Sequence, residues 1–121
     1  MPVLQKAKEA YLYWYRCHQT LPKIHRHTLG QKIDILFVET IQEITTASFL
    51  GPKEKITHIR WAIQKIDTLK IFLMMLWEVK SLDNKKYTDL SLKIDEIGRM
   101  LGGWHGQLLK QNSPDARSGE K

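Results

Sequence analysis

Between Tyr87 and Leu108, apolar residues recur at alternating steps of three and four: Tyr87, Leu90, Ile94, Ile97, Leu101, Trp104 and Leu108. Residues so spaced fall on one side of an α-helix, because the helix repeats about every 3.6 residues. A half-buried strand would need alternation at every second residue. The segment therefore reads as one long amphipathic helix, and a helix with a single apolar stripe must bury it against other elements. Within it, Ile97-Gly98-Arg99-Met100-Leu101-Gly102-Gly103-Trp104 carries three glycines. Each costs a helix interior about 1 kcal/mol relative to alanine. Gly98, Gly102 and Gly106 are spaced four apart and form a smooth row that lets another helix approach closely. This row predicts close helix contact, within the chain or between chains.

The remaining pattern is helical as well. Leu4, Ala7, Tyr11, Trp14 and His18 mark a first helix from about Leu4 to Gln19, stopped at Leu21-Pro22. A second runs from Thr28, a candidate N-cap, to Ser48, with Leu29, Ile33, Leu36, Thr40, Ile44 and Ala47 as its stripe. Gly51-Pro52 ends it and starts a third, from Pro52 to about Lys80, on Ile56, Ile59, Ala62, Ile63, Ile66, Leu69, Leu73 and Leu76. After the turn at Leu82-Asp83-Asn84, Asp83 is positioned to cap the fourth. Four helices with short connections predict an all-α, up-down-up-down antiparallel four-helix bundle over residues 1–111. Residues 112–121 are polar, contain Pro114, and read as a disordered tail.

At 121 residues the chain has the size of one domain. Its apolar surface exceeds what one core takes. Ile71 to Trp77 is an unbroken apolar run, and Tyr11 to Tyr15 and Ile35 to Val38 are similarly rich. A face left over after core formation predicts self-association. The candidate interface residues are Ile71, Met74 and Met75 together with Gly98, Gly102 and Gly106.

The net charge is +6, from 19 basic and 13 acidic residues, which suits an acidic partner such as nucleic acid. The densest group is Lys23-Ile24-His25-Arg26-His27, followed by Lys32 one turn into the second helix. Arg16 shares a face of the first helix with Lys6 and Tyr13, opposite the apolar seam. Arg16, Lys23, His25, Arg26, His27 and Lys32 are the candidate nucleic-acid or partner-binding residues. Lysine and arginine supply phosphate contacts, aromatic rings can stack on unpaired bases, and histidines add charge as pH falls. The competing reading of each is an ordinary solvated surface.

Catalytic and metal patterns are missing. The Glu-x-x-His pairs of di-metal bundles do not occur. Glu39 and Glu43 lie on the polar side of their helix, Glu54 and His58 lack matching ligands, and His25 and His27 sit in the basic connection. Cys17 and His18 are sequence neighbours and diverge on a helix. No nucleophile elbow, phosphate loop or dinucleotide fingerprint occurs. We therefore expect no catalytic residue, metal or cofactor. The lone Cys17 suits a reducing compartment, and no signal-peptide pattern or membrane-length apolar run is seen, so the expectation is a cytoplasmic protein without membrane attachment.

Two segments resemble a known family. Leu21-Pro22-Lys23-Ile24-His25-Arg26-His27-Thr28-Leu29-Gly30-Gln31-Lys32-Ile33 and Asp95-Glu96-Ile97-Gly98-Arg99-Met100-Leu101-Gly102-Gly103-Trp104 are similar to the accessory variability determinant (Avd) family of diversity-generating retroelements. This family is itself similar to the four-helix proteins encoded in intervening sequences of bacterial ribosomal RNA genes. The resemblance covers residues 4–108, and the glycine-rich stretch is its more specific part. It implies a four-helix bundle assembled as a barrel-shaped homopentamer with a basic surface. It further implies a non-catalytic partner of the reverse transcriptase and its template RNA or cDNA during mutagenic reverse transcription. The alternative is a structural oligomer of the intervening-sequence type with no direct nucleic-acid role.

Overall fold

Proline at the first turn and a stripe of small and apolar residues start the first helix, α1, at Pro2–Gln19. In the computed structural model, which describes residues 1–113, it is followed by a single turn, α2 (Lys23–Arg26), and by three long helices, α3 (Leu29–Ser48), α4 (Pro52–Glu78) and α5 (Asn84–Gln111). The four long helices form the expected arrangement. Going around the bundle the order is α1, α3, α4, α5, and each packs on neighbours running the opposite way. Among the described residues there is no strand, and no helix is long and apolar enough to cross a membrane. The polar tail expected over 112–121 lies, from Pro114 onward, outside the described residues. Asn112 caps α5 and donates from Nδ2 to the Pro52 carbonyl at 3.0 Å, which ties the end of α5 to the start of α4.

The termini follow from local chemistry. Asp83 caps α5 by accepting a hydrogen bond from the Lys86 amide at 2.8 Å, as its sequence position predicts. Thr28 does not cap α3 through its side chain. Its hydroxyl donates instead to the Ile24 carbonyl at 2.7 Å, because α2 lies one turn upstream and offers that acceptor. At the end of α4, Lys80 adopts φ 65°, the one positive value for a non-glycine among the described residues. Its amide donates to the Trp77 carbonyl and the Ser81 amide to the Leu76 carbonyl, both at 2.9 Å. This is the helix-ending turn that glycine makes most cheaply. A side chain in the left-handed region costs roughly 1–2 kcal/mol.

The core is one continuous cluster. In α5, Leu90, Ile94, Ile97, Leu101 and Leu108 are buried, while Tyr87 and Trp104 flank the seam half-buried. In α4, Ile59, Ala62, Ile66, Leu69, Leu73 and Leu76 are buried, with Ile56 and Ile63 at the edge. Two faces differ from the expected ones. The buried set of α1 is Val3, Ala7, Ala10, Trp14 and Cys17, and Leu4, Tyr11 and His18 stand beside it. The helix sits in the groove between α3 and α5, so its buried face points between them. Ala7 and Ala10 permit that approach. In α3, Phe37 takes the inward position expected for Leu36, which lies half-exposed toward α4. Steps of three and four through Ile33 admit either residue, and only packing separates them.

The glycine row divides. A Cβ on Gly98 would lie 3.5 Å from Lys70 Nζ and 3.9 Å from Ile66 Cγ2, so Gly98 packs under α4. At Gly102 and Gly106 a Cβ would meet nothing within 4 Å. The close approach expected at those two positions is therefore not made within the chain. Likewise, in the run from Ile71 to Trp77 only Leu73 and Leu76 are buried, whereas Ile71 and Met75 are exposed and Met74 is half-buried.

Candidate nucleic-acid interface

The antiparallel order brings the end of α1, all of α2, the start of α3, the end of α4 and the start of α5 to one end of the bundle. Every candidate basic residue lies there, but in two different situations. Lys23, His27 and Lys32 are exposed. Lys23 and Lys32 enter no ion pair with the described residues, whereas Lys6, Lys65, Lys70 and Lys85 are each paired with an acid.

His25 and Arg26 are instead built into the turn. Arg26 donates from Nη2 to the Leu21 carbonyl at 3.0 Å, and its own carbonyl contacts His18 Nε2 at 3.0 Å. His25 Nδ1 pairs with the Ser81 hydroxyl, so α2 is fastened to the connection between α4 and α5. Both side chains are half-buried. Gly30 makes this packing possible. A Cβ there would lie 2.8 Å from the His25 carbonyl oxygen and 2.9 Å from Leu21 Cδ1. The segment from Leu21 to Gly30 is therefore a folded clamp rather than a loose loop, because its carbonyls find partners that a sequence pattern does not reveal.

Arg16 and Lys32 stand on opposite sides of this end. Arg16 borders a cleft between α1 and α5 with Tyr13, Cys17, Thr20 and Lys86. Lys32 borders an apolar groove between α3 and α4 with Ile35, Leu36, Thr68 and Phe72. Tyr13, whose sequence position leaves it open to stacking on a base, is engaged within the chain. Its hydroxyl donates to Asp89 Oδ2 at 2.7 Å, and Arg16 and Lys93 lie over its ring at 5.8 and 5.6 Å.

The electrostatics of this pair are consistent. Burial first, and the Asp89 carboxylate second, push the Tyr13 phenol up to about 12. The Tyr13 hydrogen bond, then that of Lys85, holds the Asp89 carboxyl below its usual range. Replacing Tyr13 by phenylalanine should return Asp89 toward the ordinary carboxylate value in an NMR pH titration. A group whose pKa is depressed by folding stabilises above its unfolded pKa and loses that contribution as pH falls through the folded value. The Tyr13→Phe protein should therefore lose less stability on acidification than wild type. An unchanged Asp89 titration would show that the hydrogen bond is not maintained in solution.

No constellation of three or more potential metal-ligating side chains occurs among the described residues. Glu43 and His58 do meet, at 2.8 Å, and Trp61 packs edge-on against His58. The sequence places Glu43 on a polar face, and its partner lies on the neighbouring helix, so spacing along one helix does not identify the pair. Cys17 is buried, and its thiol is pushed up by that burial, which disfavours a reactive thiolate. Trp77 belongs to the apolar run in the sequence, yet it reaches the basic end and stacks on Tyr87.

A family model described as bAvd-like matches residues 1–108. No curated protein matches the chain. The matched region contains the four long helices to within three residues of the end of α5, and the chain belongs to the bAvd-like family.

Proposed function

We propose that this member of the bAvd-like family is a non-catalytic accessory protein of a diversity-generating retroelement. In this reading it works in the cytoplasm as a homo-oligomer that binds the reverse transcriptase and its template RNA or cDNA. The observation that carries the nucleic-acid part is the pair of exposed lysines without acidic partners, Lys23 and Lys32, at the end of the bundle where α2 is fastened. Free ammonium groups release phosphate counterions on binding, and paired ones gain less.

Two surfaces support assembly. Ile35, which lines the groove between α3 and α4, is 47% exposed, and Ile71 and Met75 on α4 are 51% and 42% exposed. Gly102 and Gly106 leave an open track on α5. A ring of more than two copies requires one patch to meet a different patch on the next copy. A pentamer, as the Avd resemblance implies, meets that requirement. Repetition of the lysine pair around such a ring would turn weak binding at each copy into avid binding.

The test is RNA binding at about 50 and 200 mM salt, with wild type and a Lys23→Ala, Lys32→Ala variant, beside light scattering of the 14.2 kDa chain. Wild type should assemble and should lose affinity steeply with salt. The variant should assemble equally, bind more weakly, and show a salt slope lower by about one for each phosphate no longer neutralised. An assembled wild type that binds no nucleic acid at low salt, with or without the reverse transcriptase, would favour the structural oligomer of the intervening-sequence type. A monomer at tens of micromolar would remove the assembly.

A further inference from the structure

We infer that the turn between α4 and α5 is a stacking platform for an unpaired base of single-stranded nucleic acid, with Trp77 as the platform and Lys80 as its phosphate contact. This rests on the nucleic-acid reading above and adds a site outside the lysine pair. Trp77 is 39% exposed. Its indole lies nearly parallel to Tyr87, with ring centroids 5.1 Å apart and 12° between planes. Nε1 donates to Asn84 Oδ1 at 2.6 Å. The stack and the hydrogen bond together hold an exposed aromatic in one orientation, so a base settling on it loses little further side-chain freedom. An open pocket of about 620 Å³ borders Trp77, Lys80 and Leu82 without involving Tyr87. Aromatic rings held beside cations are how single strands are bound, because every base has a stacking face.

Lys80 is the second, independent observation. Its positive φ occupies the helix-ending position where glycine would be less strained. Strain of this kind, kept where a cheaper residue exists, points to a use for the side chain. Lys80 lines the Trp77 pocket, and a lysine there brings to its border an ammonium group that glycine lacks. The link between Ser81 and His25 joins this turn to α2, so the platform is continuous with the side of the bundle that carries Lys23. Glu78 and Asp83 line the same pocket. Carboxylates repel phosphate but accept hydrogen bonds from an exocyclic amino group. The base therefore enters the pocket while its phosphate stays beside Lys80, and cytosine is favoured over uracil.

The experiment is fluorescence anisotropy with the full chain and three labelled RNAs: a short oligocytidine, an oligouridine of equal length, and a duplex. Oligocytidine should bind more tightly than oligouridine. Trp77→Leu should weaken oligocytidine binding roughly tenfold and leave duplex binding unchanged. Lys80→Gly should raise the melting temperature while weakening single-strand binding severalfold, which separates ligand contact from folding. If both variants bind single strands as wild type does, while Lys23→Ala, Lys32→Ala weakens every RNA, the platform is refuted and the nucleic-acid reading stands. If wild type binds none of the three RNAs, both fall.

Discussion

Replacing Trp14 by alanine is expected to remove about 3–5 kcal/mol of stability, the largest effect of any single substitution considered for this chain. Trp14 is fully buried. Its indole stacks against Phe37 at 6.1 Å and His18 at 5.1 Å, and Nε1 donates to Asp34 Oδ1 at 3.3 Å. Truncation would open a cavity where α1 meets α3, beside Phe37, which is itself fully buried. It would also take a donor from the Asp34 carboxylate. Folded domains retain only about 5–15 kcal/mol in total, so the variant should be close to unfolding. Denaturant titration followed by helical circular dichroism should show a midpoint far below wild type. Trp14→Phe, which keeps most of the volume and loses the hydrogen bond, should fall between the two. A Trp14→Ala midpoint equal to wild type would mean that the seam between α1 and α3 does not anchor the bundle.

The second large effect is a contrast of sign between two glycines in helices. Gly30→Ala should destabilise, because its Cβ would lie 2.8 Å from the His25 carbonyl oxygen, 2.9 Å from Leu21 Cδ1 and 3.0 Å from His18 Cδ2. The oxygen belongs to the backbone of α2, and α2 is held by the hydrogen bonds of Arg26 and His18 around it. Overpacking of this kind costs typically 1–3 kcal/mol, which outweighs the gain of about 1 kcal/mol in helix propensity. Gly102→Ala should do the reverse. Its Cβ meets nothing within 4 Å, so the isolated chain should gain about 0.5–1 kcal/mol. Each kcal/mol moves the melting temperature of a domain of this size by roughly 4 °C. A higher melting temperature for Gly30→Ala would show that the clamp yields. Gly102 also reports on assembly. A larger side chain, in Gly102→Leu, should break the oligomer if the row is an interface between copies. A Gly102→Leu protein that is more stable and equally assembled would leave the row as bare surface.

The sequence was most informative where a local rule had no competitor. The heptad-like spacing from Tyr87 to Leu108, the stop and start at Gly51-Pro52 and the Asp83 cap each rest on a few neighbouring residues, and the structure contains all of them. The Avd resemblance was legible from two short segments for the same reason, and the family match spans residues 1–108. The basic segment was less legible. As a string, Lys23 to Lys32 is a run of charges. In three dimensions His25 and Arg26 turn inward to serve carbonyls and Ser81, while Lys23 and Lys32 stay in solvent. Nothing in their order separates the two pairs, because the separation depends on what lies across the turn.

By itself, then, the sequence determined the number of long helices, their order, the Asp83 cap of α5 and the family, since these follow from periodicity and from short-range hydrogen bonding along one chain. The tertiary structure alone decided which of two equally periodic faces turned inward, Phe37 rather than Leu36 and Ala10 and Cys17 rather than Tyr11 and His18. It also decided that Tyr13 meets Asp89, that Glu43 meets His58, that Gly30 rather than Gly102 is the crowded glycine, and that Trp77 leaves the apolar run to stack on Tyr87. The physical reason is the same in each case. A helix repeat assigns residues to a face within tens of degrees, whereas burial and partnership depend on a few ångströms between elements far apart in the chain.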